Sequence, residues 1–175
     1  MKHLATITDK DITGSDALST TEPRIAVTAV LFDRDCNIAL SYSSKMDIYS
    51  IIGGGVDLGE DLITAIKREI LEEAGCHCEI ICELGLTFES RAEINYTQTR
   101  YNYIARVVGE KGELQLTEDE LSKDITVRWL PIEEALRLIK KSTPHDYNYK
   151  FIRHRDIIVL NEVLTNHAHL IGDSQ

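Results

Sequence analysis

A short β-branched run, Ile48 to Ile52, ends at three consecutive glycines, Gly53-Gly54-Gly55, and a helical pattern begins at Asp61. No other stretch constrains the fold as much. Glycines tolerate positive φ and let backbone approach another group closely, so the chain turns tightly between strand and helix here. Asp61 can cap the helix through its side-chain oxygen, and Gly75 is a natural stop after Ala74. On a wheel of about 100° per residue, Leu62, Ile63, Ile66 and Ile70 make the apolar stripe. Glu73 projects into the edge of that stripe, Glu69 borders it, and Glu72 lies one step outside.

These acids stand at i, i+3 and i+4, so their carboxylates gather on one side of the helix. Like charges at that spacing destabilise a bare helix by about 0.2–0.5 kcal/mol per pair. Setting one of them against apolar surface adds a desolvation cost. A hard cation offsets both, and three clustered carboxylates suit Mg²⁺ or Mn²⁺, which prefer oxygen ligands and keep positions for water and phosphate. Taken without the glycines, the acids also read as a charged surface helix paired with Lys67 and Arg68.

The remaining pattern surrounds this helix with strands. Ile25–Phe32 is apolar and β-branched, and a polar turn from Asp33 to Asn37 leads to a second strand near Ile38–Tyr42. Two longer runs follow the helix, Cys78–Phe88 and Thr97–Val108. Glu118-Asp119-Glu120 reads as an acidic loop before a strand over Ile125–Leu130. Pro131 suits the first turn of a helix over Ile132–Lys141, and a last helix covers about Tyr149–Thr165. Strands around one central helix, with two more helices late, read as an α+β or mixed α/β domain. Residues 1–23, mixed and polar, read as an N-terminal extension with room for local pairing before the core begins.

Nineteen basic against 29 acidic side chains give a formal charge of −10, which argues against a basic face gripping a nucleic acid polymer. Phosphate-bearing small molecules stay open, because a carboxylate-held metal bridges to them. No run approaches the roughly 20 apolar residues of a spanning helix, and the first 22 residues lack a signal-peptide pattern. A cytoplasmic location is the resulting expectation, with the four cysteines reduced. Cys76, Cys78 and Cys82 alternate onto one strand face beside His77, and buried thiols are preferred there over a zinc site. Arg153-His154-Arg155 reads as a solvated basic patch.

Gly54, five residues, Glu60, seven residues, then Arg68-Glu69-Ile70-Leu71-Glu72-Glu73-Ala74-Gly75-Cys76 resembles the Nudix box, with every fixed position filled. Cys76 replaces the bulky aliphatic at the last position, and Ile52 stands where family members often place a proline. The Ile25 strand, the tyrosine-rich strand and Val127-Arg128-Trp129-Leu130-Pro131 resemble the flanking parts, so the likeness covers about residues 24–141, with residues 142–175 a linker and helix packing on the same domain.

The resemblance implies an α/β/α sandwich with a mixed sheet, and a Mg²⁺-dependent hydrolase (Mn²⁺ substituting) that cleaves the diphosphate linkage of a nucleoside di- or triphosphate derivative. By position, Glu69 and Glu73 resemble metal-binding glutamates, Glu72 a further ligand or the general base, and the carbonyl near Gly54 another ligand. Arg68 and Glu60 resemble the pair that orients them. A base or extra ligand before the Trp129 strand is expected among Glu118, Glu120 and Asp124, with Glu120 favoured and a solvated turn as the plain alternative. Lys45, Arg91 and Arg100 are candidate phosphate contacts. Tyr101, with Tyr96 and Tyr103, can stack a base or serve the core. The family also implies a possible homodimer. The alternative function is a catalytically weak, nucleotide-sensing domain, although no box glutamate is lost. A prenyl-diphosphate isomerase shares only the architecture.

Overall fold

A computed structural model describes residues 1–171, the side chains of Asp119 and Glu120 excepted. In chain order the elements are β1 (His3–Thr8), α1 (Asp9–Ile12), β2 (Arg24–Phe32), β3 (Asn37–Ser43), β4 (Ile48–Ile51), α2 (Leu62–Ala74), β5 (His77–Arg91), β6 (Tyr96–Val108), α3 (Glu118–Ser122), β7 (Ile125–Pro131), α4 (Ile132–Lys141) and α5 (Tyr147–Asn166). Short 3-10 turns follow β5 and α5.

Seven strands form one mixed sheet in the order β1-β5-β6-β2-β3-β4, with β7 paired to β3. β2 runs parallel to β6 and β1 parallel to β5, while β5–β6, β3–β4 and β3–β7 are antiparallel. Side chains alternate across each strand, and this gives the sheet two apolar faces. Val27, Ala29 and Leu31 of β2 meet Ala65, Ile66, Ile70 and Ala74 of α2. Val30 and Phe32 point the other way, toward Ile139 of α4 and Val159, Leu160 and Val163 of α5. Helices therefore cover both faces, and the expected α/β/α sandwich holds.

Residues 1–23 are more than an extension. β1 pairs with β5 from His3↔Leu86 to Thr8↔Ser90, and Ile7 is buried. The acidic segment read as a loop contains the short helix α3. α5 begins two residues earlier than the pattern suggests, because Asp146 accepts from the amides of Asn148 (2.8 Å) and Tyr149 (3.1 Å). Cys82 does not share a face with Cys76 and Cys78. A register shift between Ile80 and Cys82 turns it toward the α5 side.

Asp61 caps α2 as read. Its carboxylate accepts from the amides of Ile63 (2.9 Å) and Thr64 (3.0 Å) and from the Thr64 hydroxyl (2.7 Å). The Thr64 bonds hold the carboxyl below its usual value of 3.8. A group depressed in the folded state stabilises above its unfolded pKa and loses that contribution as pH falls through the folded value. Asp61→Ala is therefore expected to unfold about 2–4 °C below the wild type at pH 7. The gap should close as thermal melts are repeated at pH values falling below 3.8. A gap that persists in acid contradicts the assignment of the cap to the charged carboxylate.

Candidate active site

The turn between β4 and α2 runs beside β2. Ala29 N donates to Ile52 O (3.0 Å), Val27 N to Gly54 O (2.9 Å) and Val56 N to Ile25 O (3.1 Å). Gly53 takes φ +146°, and a Cβ there would lie 2.2 Å from Val27 O. Only glycine fits that close approach. At Gly54 the φ is ordinary, and the reason for glycine is different: a Cβ would fall 2.3 Å from Glu69 Oε1. The turn is thus pressed against β2 on one side and against the acids of α2 on the other.

This packing shifts the buried face of α2. Glu69 is only 8% exposed, whereas Ile63, expected in the apolar stripe, is 39% exposed. Glu72 and Glu73 are half-buried. Gly53 N donates to Glu73 Oε2 at 3.3 Å. Arg68 ties the cluster together. Its Nε and Nη2 fork onto Glu60 (3.1 and 3.0 Å), Nη1 reaches Glu69 (2.9 Å) and Glu72 (3.2 Å), and Nη2 also donates to Gly55 O (2.9 Å). The bidentate geometry is the strong form of this contact. Bonding to Arg68 holds the Glu60 carboxyl below its ordinary range, and the bond to Glu60 in turn raises Arg68 above its own.

The residues fit a small hard cation. Their donors are carboxylate oxygens, and the missing Cβ of Gly54 leaves a cradle beside Glu69. Among the described residues no three of His, Cys, Asp or Glu are already gathered closely enough to hold an ion. Arg68 Nη1 stands between Glu69 and Glu72 and supplies the positive charge against which they collect. The Gly54 carbonyl accepts from Val27 within the sheet, with one lone pair left.

A cleft of about 170 Å³ opens beside Glu73. Its floor is Ser41 and Ser43 of β3 and Ser50 of β4; Ile48, Ile125 and Ile152 wall it, and Tyr149 and Lys123 stand at its margin. A larger hollow of about 370 Å³, lined by Pro144, Lys150, Arg153 and His154 among others, includes none of the box residues.

Of the expected substrate contacts, none lines the cleft. Lys45 stands near its rim, donating to Ser122 O at 2.6 Å and lying 3.9 Å from Asp124. Arg91 is buried, paired with Glu89, bonded to Asn148 (2.9 Å) and set over the rings of Tyr96 and Phe151. Arg100 is buried too, donating from Nη1 to Val27 O and Thr28 Oγ1, both at 2.8 Å. Tyr101 packs half-buried on the α2 side, and Tyr103 is core. Arg155, read as part of a solvated patch, is 3% exposed and bonded to Asp156. Glu118 and Asp124 are exposed, and the Glu120 side chain lies outside the described residues. The serine floor and Tyr149 were missed, although alternating serines in the β3 run mark a polar strand face.

Comparison with known proteins agrees with this geometry. A NUDIX domain model matches residues 22–153. The human 8-oxo-dGDP phosphatase NUDT18 is 28% identical over 108 residues, which are 60% of this chain and 31% of that protein, so the chain spans about a third of its relative's length. Among solved structures, a NUDIX hydrolase from Nitrosomonas europaea aligns with a TM-score of 0.61 at 22% identity, covering 85% of this chain and 90% of that one. A UDP-X diphosphatase gives 0.57 at 19% identity (85% and 66% covered). The C. elegans Ap4A hydrolase gives 0.56 at 17% (85% and 99%). These likenesses show the shared fold. No described helix is long and apolar enough to cross a membrane. Since the family model spans well over half of the chain and its box acids meet at the glycine turn, the chain belongs to the Nudix hydrolase family.

Proposed function

We propose that the chain is a Mg²⁺-dependent hydrolase, with Mn²⁺ able to substitute, that cleaves the phosphoanhydride linkage of a nucleoside di- or triphosphate derivative. One observation carries this reading: Glu73 belongs at once to the carboxylate cluster at the glycine turn and to the wall of the cleft. A nucleoside lying on Ser41, Ser43 and Ser50 then has its phosphates at the Glu73 end, beside Glu69 and Gly54. At about 170 Å³ the cleft is smaller than the roughly 300 Å³ of a typical closed ligand pocket, which suits one nucleoside unit with its phosphates outside. The relatives point the same way, since 8-oxo-dGDP, UDP-X and Ap4A all carry a nucleoside on a phosphate chain.

Glu69 and Glu73 would hold the ion, with Glu72 as a further ligand or the acceptor of the attacking water's proton. When bound, the ion neutralises the diphosphate and favours a water-derived nucleophile. Arg68 fixes Glu69 and Glu72 against Glu60 and Gly55, so the acids keep their spacing while charge builds on the phosphates. Glu120 remains a candidate base from α3. Tyr149 stacks the base at the cleft margin.

Phosphorus NMR of a mixed panel with Mg²⁺ tests the proposal. The panel holds nucleoside triphosphates, oxidised ones included, nucleoside diphosphates, ADP-ribose, nucleotide sugars and dinucleoside polyphosphates. Consumption of at least one member is expected, and the product phosphorus signals identify the bond cut. Tyr149→Ala should then raise KM by about 5- to 150-fold with kcat nearly unchanged, the size of one lost base-stacking contact. Binding of a Mg²⁺–nucleotide with no turnover of any member would replace this reading with the sensing one.

A further inference from the structure

Between the sheet and α5 lies a layer of five charged side chains, Glu89, Arg91, Arg100, Arg155 and Asp156, none more than 8% exposed. Three guanidinium groups face two carboxylates. Asp156 Oδ1 accepts from Arg155 Nη2 (2.6 Å) and Nε (2.8 Å), Arg155 Nη1 lies 3.6 Å from Glu89, and Arg91 bonds the other oxygen of Glu89. Burial works against the charge of Arg155, yet Asp156 and Glu89 outweigh it and hold the guanidinium above its usual range.

Stability alone does not account for such a layer. Taking charges out of water costs several kcal/mol per ion, and apolar replacements are often neutral or better. In the same layer, Glu89 Oε1, Thr87 Oγ1 and Asn102 Oδ1 are buried with no hydrogen-bond partner among the described residues. What sets the layer apart is where its remaining bonds go. β4 pairs with β3, and its continuation through Ile52 and Gly55 bridges to β2, yet the Ile51 N–H donates to Asp156 Oδ2 at 3.0 Å instead of to another strand. Ile51 stands two residues before Gly53. Arg100 bonds Val27 O and Thr28 Oγ1, and Val27 O is the atom against which Gly53 is pressed, while Val27 N bonds Gly54 O. The glycine turn is therefore gripped on its β4 side by Asp156 and on its β2 side by Arg100, and the two grips are joined through one ionic layer.

The geometry points to Asp156 as a positioning residue of the carboxylate site: acting through Ile51, with Arg100 acting through Val27, it sets where the Gly53 amide and the Gly54 backbone stand relative to Glu73 and Glu69. Neither residue touches substrate. The inference rests on the proposed function only in taking those glutamates as the cation site. Helix α5, which supplies Tyr149 to the cleft, thereby also governs the metal end of the site.

The test is Mn²⁺ titration of the full chain by electron paramagnetic resonance, with amide hydrogen exchange at Ile51 and Gly53 as a metal-independent readout. Asp156→Asn is expected to bind Mn²⁺ about 10- to 100-fold more weakly, the usual cost of losing an outer-shell partner. Exchange at Ile51 and Gly53 should accelerate. Val163→Ala, a core truncation elsewhere on α5, should lower Tm and leave both readouts unchanged. Arg100→Met, which keeps an unbranched side chain but can donate neither bond, gives the same answer if Asp156→Asn does not fold. Wild-type Mn²⁺ affinity and wild-type exchange in these variants overturn the inference, as does an equal effect from Val163→Ala. If the wild type itself binds no Mn²⁺, the metal reading fails and the exchange readout alone decides this one.

Discussion

Glu73→Gln is expected to lose at least about 10²–10³-fold in kcat, the scale on which a single preorganised charge-stabilising group acts, while its Tm stays level or rises slightly. The two halves of that expectation have one origin. Glu73 stands four residues from Glu69 on α2, and like charges at that spacing cost a helix about 0.2–0.5 kcal/mol. Glutamine keeps the length, the half-buried packing and an oxygen for the Gly53 amide, but removes the repulsion and the anionic ligand. Rate measurements beside thermal melts would check it. A variant that is inactive and also strongly destabilised would show that Glu73 serves the fold, because the like-charge cost would then be hidden by a larger structural contribution.

The adjacent glycines should separate fold from chemistry within one turn. Gly53→Ala puts a Cβ 2.2 Å from Val27 O in a conformation with φ +146°. The obstacle is backbone, which cannot swing aside, so a loss of about 1–3 kcal/mol in stability is expected, with activity falling alongside it. Gly54→Ala meets the Glu69 carboxylate instead, at 2.3 Å, with no positive φ to strain. A side chain can rotate, so the protein should fold nearly as well, while Glu69 is expelled from its place and kcat falls by about 10- to 100-fold or more. Denaturant melts and Mn²⁺ titrations of the two variants would distinguish them. Equal stability losses would mean that Glu69 is as rigidly held as the backbone, and the cradle reading would fail.

How much of this was legible in the sequence depended on how local the signal was. The cap at Asp61, the stop at Gly75, the strand before the glycines and the spacing of Glu60, Arg68, Glu69, Glu72 and Glu73 are set within about 25 residues, and the structure places all of them together. Contacts made across long separations left no such trace. Ile63 and Glu69 exchanged burial because the glycine turn folds back over the flank of α2, which a helical wheel cannot show. Arg100 and Arg155 were read as phosphate contact and solvated patch, since nothing in a local window announces that β6 and α5 face each other with Glu89 between them. Cys82 changed sides through a one-residue register shift in a fifteen-residue strand. The cleft draws on β3, β4, α2, β7 and α5, so its floor became visible only when those elements were assembled.

The position of β1 at the rim of the sheet has a consequence for how the chain is made. Parallel partners joined over a long separation form slowly, and His3 pairs with Leu86, about eighty residues later. At ordinary synthesis rates of about 5–20 residues per second, β1 waits about 4–16 s for its partner to emerge. The waiting segment, His3-Leu4-Ala5-Thr6-Ile7-Thr8, is short and half polar, a poor seed for association. Long β5 is the hazardous edge, and because β1 is already outside the ribosome when β5 appears, the Leu86–Ser90 stretch that it pairs with need never stand open. Chain order here places the harmless strand first and the sticky one second.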